Sequence, residues 1–267
     1  MAVTSGGTAS RLPAMDELTW EPAGTHIAGA DAGGVAVVRI DRAAKLNALS
    51  PAMLPDLAAA IRERAAAADG LVLTGTGRAF SAGDDLDATA DLDRDGFEAL
   101  IVGFQDLTRA VLDTGVPVIA ALNGLAVGGG AELTLACDAR IGAPGMFFLF
   151  PENGLGLTIS NGSTHLLPRI LGAGALPLIL DGGRIEADDA LRLGLLTDIA
   201  DDPLAAAIER VMRWTEPATA TRWHLRMLRP DREAVEAAMR RETEIAREVF
   251  TAGIATTGAA AFRDRAR

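Results

Sequence analysis

The sequence predicts an α/β fold, and three observations carry that reading. A unit of strand, glycine turn and helix recurs at least three times. The glycine turns fall at strand ends, where α/β proteins place their functional loops, and from Gly172 onward the pattern is almost wholly helical. Taken in order, THIAGADAGGVAVVRIDR reads as two strands hinged at Gly33 and Gly34. SPAMLPDLAAAIRERAAAAD reads as a helix with Ser50 as cap, Pro51 in its first turn, and Met53, Leu54, Leu57 and Ile61 on one face. LVLT is a buried strand that stops at GTGR, and after an aspartate-rich loop FEALIVGFQDLTRAVLDT has helical apolar spacing. PVIAAL is a third strand running into a glycine turn, with GGAELTLACDA as a short helix directly behind it. ARIGAPGMFFLFPE returns as strand, and ADDALRLGLL, PLAAAIERVMRWT and REAVEAAMRRETEIAREVF complete the chain as helices. The organisation expected is a flexible N-terminal extension over 1–24, a core over 25–200 and a helical region over 201–267.

At 267 residues one large domain can bury a substantial core without staples. Apolar residues at 49% against 23% charged give the balance of a soluble globular protein. The net charge of −11 argues against a nucleic-acid surface or an anionic-membrane surface, so an anionic ligand must be met by local backbone N–H groups or a few arginines. Cys137 is the only cysteine, which excludes an intrachain disulfide and suits a reducing cytoplasm. It reads either as a nucleophile or as a small buried apolar residue. The first residues lack the basic start and apolar run of a secretion signal. No stretch of about 18 apolar residues stands out, so no membrane span is expected.

Known nucleotide motifs fail on inspection. GTGRAF has phenylalanine where a dinucleotide fingerprint wants its third glycine, and NGLAVGGGAE has no lysine followed by serine or threonine. Ser81 in AFSAGD is not a nucleophile elbow, and nothing has zinc spacing. His26, His165 and His224 are scattered and read as structural or surface residues. What remains is geometric. A strand that enters Gly128, Gly129 and Gly130 and then a helix leaves unpaired N–H groups, and SAGDDL offers another at a second strand end. Two such donors can stabilise an oxyanion; equally, the glycines can serve tight turns alone. Glu132 lies in the first helical turn, where it either caps or faces a cleft. Glu152 follows MFFLF, an odd place for an acid unless it reaches a site, and two carboxylates there could flank a water and split acid and base roles.

With these residues in view, GTGRAFSAGDDL, PVIAALNGLAVGGGAELTLACDARI, FLFPENGLGL and GRIEADDALRLGLL resemble the successive signatures of the enoyl-CoA hydratase/isomerase, or crotonase, family. RAAKLNAL and GAAAFRDR extend the likeness to roughly residues 25–265. The resemblance implies a spiral of ββα units whose C-terminal helices pack across neighbours in a homotrimer or dimer of trimers. It implies an acyl-CoA thioester as the partner, no nucleic acid or membrane partner, and no cofactor or metal, coenzyme A being part of the substrate. The backbone N–H groups of Asp84 and Gly129 fall on the family's oxyanion hole, and Glu132 and Glu152 fall on its two catalytic glutamates. Ala44, Lys45, Leu46, Ala82, Asp85, Leu86 and Arg265 fall on positions that bind CoA or substrate. The implied reaction is hydration of a trans-2-enoyl-CoA, or its reverse, with enoyl-CoA isomerisation and noncatalytic acyl-CoA binding as alternatives. Two departures stand out. GLTISNGSTHLLP puts Ser160 where hydratases have a water-positioning glycine, and Asp87 stands where many members have a lysine. Lys45, the only lysine, and Arg265 are then the candidates for the missing charge.

Overall fold

The computed structural model describes residues 18–254. Its larger sheet has the order β1-β2-β3-β4-β6-β8-β11. The first three strands are β1 (Glu21–Gly24), β2 (Ile27–Ala32) and β3 (Val35–Ile40), paired antiparallel. Gly33 and Gly34 have φ of 65° and 93°, the pair of positive angles that a two-residue hairpin turn requires. From β3 onward, β4 (Gly70–Gly75), β6 (Val118–Leu122), β8 (Ala139–Gly142) and β11 (Asp198–Ile199) run parallel.

These parallel strands are covered on both faces, which is why they read as unbroken apolar runs. Ala36, Val38, Leu71, Leu73, Val118 and Ala120 face one core cluster with α1 (Met53–Ala66) and α2 (Arg94–Leu112). Val35, Val37, Val72, Ile119 and Ile141 face a second, filled by Leu204, Ala207, Ile208 and Val211 of α8 (Pro203–Trp214). The expected boundary at residue 200 therefore separates the sheet from its own covering helix, so α8 belongs with the core. Of the expected N-terminal extension, residues 1–17 lie outside the described residues, and the rest is packed: Leu18 is buried in the second cluster and β1 is paired to β2.

A smaller sheet, ordered β10-β9-β7-β5, is formed by β5 (Ala79–Ser81), β7 (Leu125–Val127), β9 (Phe147–Leu149) and β10 (Ile185–Glu186). Each repeat thus contributes a strand to the large sheet, then one to the small sheet, then a helix. The helices are α2 after β5, α3 (Gly129–Leu135) after β7 and α4 (Glu152–Leu155) after β9, giving the spiral of ββα units that the resemblance implies. PVIAAL does not enter the helix directly, because β7 intervenes; a strand of three residues is too short to show a period. Ser50 is not a side-chain cap either. Its carbonyl accepts the Met53 N–H at 2.9 Å, and α1 starts after Ala52 without a side-chain cap.

The remaining helices are α5 (Ser163–Leu171), α6 (Ala175–Asp181), α7 (Ala187–Leu193), α9 (Thr221–Leu228) and α10 (Arg232–Thr251), with α10 packed on α2 and α5. Contrary to expectation, Ser163–Asp181 has the length and mean hydropathy, 1.2, of a membrane span. It is not one helix. A 3-10 turn at Gly172–Gly174 separates α5 from α6, and the two pack against each other.

Candidate active site

The small sheet brings the two glycine turns together. β5 and β7 are parallel neighbours, with Ala79 opposite Leu125, so the chain leaves both strands at the same edge. Gly83 and Gly128 have φ of 79° and 52°, which an L side chain adopts only under strain. A Cβ on Gly83 would also lie 2.5 Å from the Val127 carbonyl oxygen and 3.2 Å from the Gly129 nitrogen. The two turns therefore touch, and among the described residues neither the Asp84 nor the Gly129 N–H has a hydrogen-bond partner. Two adjacent unpaired donors at a cavity wall can hold one oxyanion.

The segment RAAKLNAL scaffolds this edge. Leu49 donates to the Gly83 carbonyl at 2.7 Å and accepts from Asp85 N–H at 3.0 Å, while Ala82 N–H reaches the Leu46 carbonyl at 2.9 Å. Asn47, fully buried, donates to the carbonyls of Thr76 and Ala79. Ser81 Oγ donates to the Asn47 carbonyl at 2.9 Å and accepts from Gly83 N–H at 3.1 Å. The turn is thus held from both sides before any ligand arrives.

Glu132, in the first turn of α3, and Glu152, opening α4, are 2% and 6% exposed. Glu132 Oε2 accepts from Ser160 N–H at 2.9 Å, Ser160 Oγ at 3.2 Å and Ser163 Oγ at 3.3 Å. Glu152 Oε2 is buried with no partner among the described residues. Burial raises the pKa of Glu132 well above the usual carboxylate range, and the charge of Glu152 adds to it. Burial pushes Glu152 up to about 7. Such a pair holds a proton at neutral pH and can act as acid and base in turn.

Both acids line a cavity of about 440 Å³ with Asp84 and Gly129. Lys45, Leu46, Ala82, Asp85 and Leu86 line it too, so most of the residues picked from sequence meet at one place. Its far wall is apolar: Leu100, Ile101 and Phe104 from α2, with Phe97, which stacks on Phe250 of α10 at 5.0 Å. Asp84 is half-buried, and loss of water pushes its carboxyl up to about 7.

Other expectations change. Ala44 is exposed in a 3-10 turn at Ala43–Lys45 and does not line the cavity. The Asp85 carboxylate points to Arg42 Nη1 at 2.6 Å. Burial works to raise its pKa, but Arg42 and the N–H groups of Ala88 and Asp87 hold it below the usual range, so its charge is already paired within the chain. Lys45 Nζ donates to Asp87 Oδ2 at 2.7 Å, so the acid at the family's lysine position ties up the one lysine. Arg265 lies outside the described residues. Cys137 is buried away from the cavity and burial pushes its thiol to about 12, which removes the nucleophile reading. None of the three histidines lines the cavity.

A family model described as enoyl-CoA hydratase/isomerase matches residues 30–265. The chain belongs to the enoyl-CoA hydratase/isomerase family. Within it, a protein of Rhodobacter capsulatus named probable enoyl-CoA hydratase is 38% identical over 170 residues, covering 63% of this chain and 66% of that one. A Clostridium acetobutylicum protein named short-chain-enoyl-CoA hydratase is 39% identical over 174 residues, covering 63% and 66%. These matches span just under two thirds of either relative. The crystal structure of an enoyl-CoA hydratase/isomerase from Mycobacterium paratuberculosis has a TM-score of 0.82 at 28% identity, covering 90% of this chain and 99% of that one.

The turn that carries Ser160 has a further partner from α10. Glu242 of α10, 3% exposed, accepts from Gly162 N–H at 2.8 Å, Thr164 N–H at 2.9 Å and Thr164 Oγ1 at 2.6 Å. Nothing in MRRETEIAREVF sets this acid apart from a solvated helix face. Ser163 was equally hidden, since its role depends on the turn before it.

Proposed function

We propose that the protein is an enoyl-CoA hydratase, adding water across the 2,3 double bond of an enoyl-CoA thioester or removing it in reverse. The observation that carries this reading is two buried acids sharing one cavity with two unpaired backbone N–H groups. The thioester oxygen accepts from Asp84 and Gly129. Glu132 takes a proton from water as its oxygen attacks the β carbon, the electron pair moves to the thioester oxygen, and the α carbon then takes a proton from Glu152. The N–H pair stabilises the enolate charge between these steps. The apolar wall from α2 suits a hydrocarbon acyl chain. The reading calls for no cofactor and no metal, coenzyme A arriving as part of the substrate.

The protein works in the cytoplasm as a trimer or dimer of trimers on this reading. Exposed Leu176, Leu180, Met227 and Leu228 on α6 and α9, up to 76% accessible for Met227, support burial against further copies. One observation favours a second reading: Oε2 of Glu152 is unencumbered while Glu132 Oε2 takes three donors. Glu152 alone could then shuttle a proton between carbons, making an isomerase. The test is loss of enoyl-thioester absorbance over a panel of acyl lengths. Glu132→Gln and Glu152→Gln should each lower hydration by about 10²–10⁴-fold. Turnover surviving in Glu132→Gln sinks the two-acid mechanism, conversion of a 3-enoyl thioester by that variant supports the isomerase, and binding without turnover leaves only an acyl-CoA carrier.

A further inference from the structure

We propose that Glu242 of α10 is a positioning residue for Glu132, acting through the turn Ser160–Thr164; this rests on the two-acid reading above. The starting point is a helix that lacks its own cap. α5 begins after Gly162, which has no side chain to accept the orphan N–H groups of the first turn. The missing acceptor comes from another helix: Glu242 Oε2 takes Gly162 N–H, and Oε1 takes Thr164 N–H and Oγ1. Both carboxylate oxygens are used.

The turn has an uncommon backbone and is gripped by its neighbours. Asn161 and Gly162 are successive left-handed residues, with φ of 62° and 75°, and the asparagine carries a conformational cost there. Thr108 Oγ1 of α2 grips the Asn161 carbonyl at 2.9 Å. Gln105 fixes α10 to α2 by donating to the Met239 carbonyl and to Thr243 Oγ1, both at 3.0 Å. On its other side the same turn presents Ser160 N–H, Ser160 Oγ and Ser163 Oγ to a single oxygen of Glu132. A displaced turn therefore misaims the carboxylate that must meet water, and small misplacements of a reacting group are costly in rate. Glu242 touches no lining residue of the cavity among its hydrogen bonds, so it acts on Glu132 rather than on substrate.

The experiment is kinetics on crotonyl-CoA with Glu242→Gln, the milder Thr164→Val, and Glu242→Gln combined with Glu132→Gln. Glu242→Gln is expected to lower kcat roughly tenfold with KM within about twofold, and Thr164→Val by a smaller factor in the same direction. In the Glu132→Gln background, adding Glu242→Gln should cost little more, because residues acting as a unit are not additive. Full additivity, or an equal rise in KM, overturns the proposal. Amide hydrogen exchange at Ser160 gives a readout that needs no turnover: protection should fall in Glu242→Gln while α1 and β4 keep theirs. Unchanged protection at Ser160 overturns the clamp. A wild-type protein that hydrates no enoyl-CoA sinks the functional reading while the exchange arm still decides the clamp.

Discussion

The oxyanion edge and the acid side of the cavity are built by different means. The edge after β5 and β7 is built mainly from backbone: neighbouring parallel strands, Gly83 pressed on Val127 and Gly129, and Leu49 threaded between Gly83 and Asp85, with only the local side chains of Asn47 and Ser81 adding support. The acid side is an assembly of side chains from distant parts of the chain, in which α3, the turn before α5 and α10 meet through Glu132, Ser160 and Glu242. The first is fixed once the small sheet forms. The second is adjustable, because each contact is one side chain that can change alone.

The largest effect should come from attacking the edge. Gly83→Ala puts a methyl 2.5 Å from the Val127 oxygen at a φ of 79°, so the turns must part. Crotonyl-CoA hydration should fall at least 10²-fold, the scale of losing one oxyanion donor; near-normal kcat would show that the edge is not rigid. Next comes the pH response of the acid side. Hydration that needs Glu152 protonated should decline as pH rises through about 7, and a pH profile flat from 6 to 8.5 would exclude Glu152 as the proton donor.

A smaller effect tests Asp84, where the two constructions touch. Its pKa rises from 3.8 to about 7 on folding. Below 3.8 both folded and unfolded forms are protonated; above it the unfolded chain ionises first, so stability drains away until pH passes about 7. Asp84→Asn should therefore stabilise the protein by on the order of 1–3 kcal/mol at pH 8 and not at pH 3.5, as denaturant melts will show. Smallest of all, Ser160→Ala removes one of three donors to Glu132 and should cost kcat only a few fold. A loss matching Glu132→Gln would make Ser160 a catalytic group in its own right.

The same contrast explains what could be read from the chain. Gly33 and Gly34, the apolar runs of β4 and β6, and the glycines around Gly129 are local signals, and of these the resemblance places only Gly129 at one site with Asp84, Glu132 and Glu152. The place of α8 is not legible in the chain, because PLAAAIERVMRWT shows an apolar face without showing which sheet it covers. β5 and β7 are hidden beside glycine turns because three residues carry no period. Glu242, Ser163, the Lys45 to Asp87 pair and the pairing of Asp85 with Arg42 depend on contacts across many residues.

The Lys45 to Asp87 pair has a practical consequence. Lys45 is the chain's only lysine, its side chain is 51% accessible, and it sits on the cavity wall. Apart from the amino terminus, an amine-reactive fluorophore has a single address on this molecule, at the place where an acyl-CoA would enter. The bond to Asp87, first, and then its charge raise the lysine's pKa, so Asp87→Ala should quicken the labelling. The protein thus comes with a built-in handle for watching ligand arrival by fluorescence.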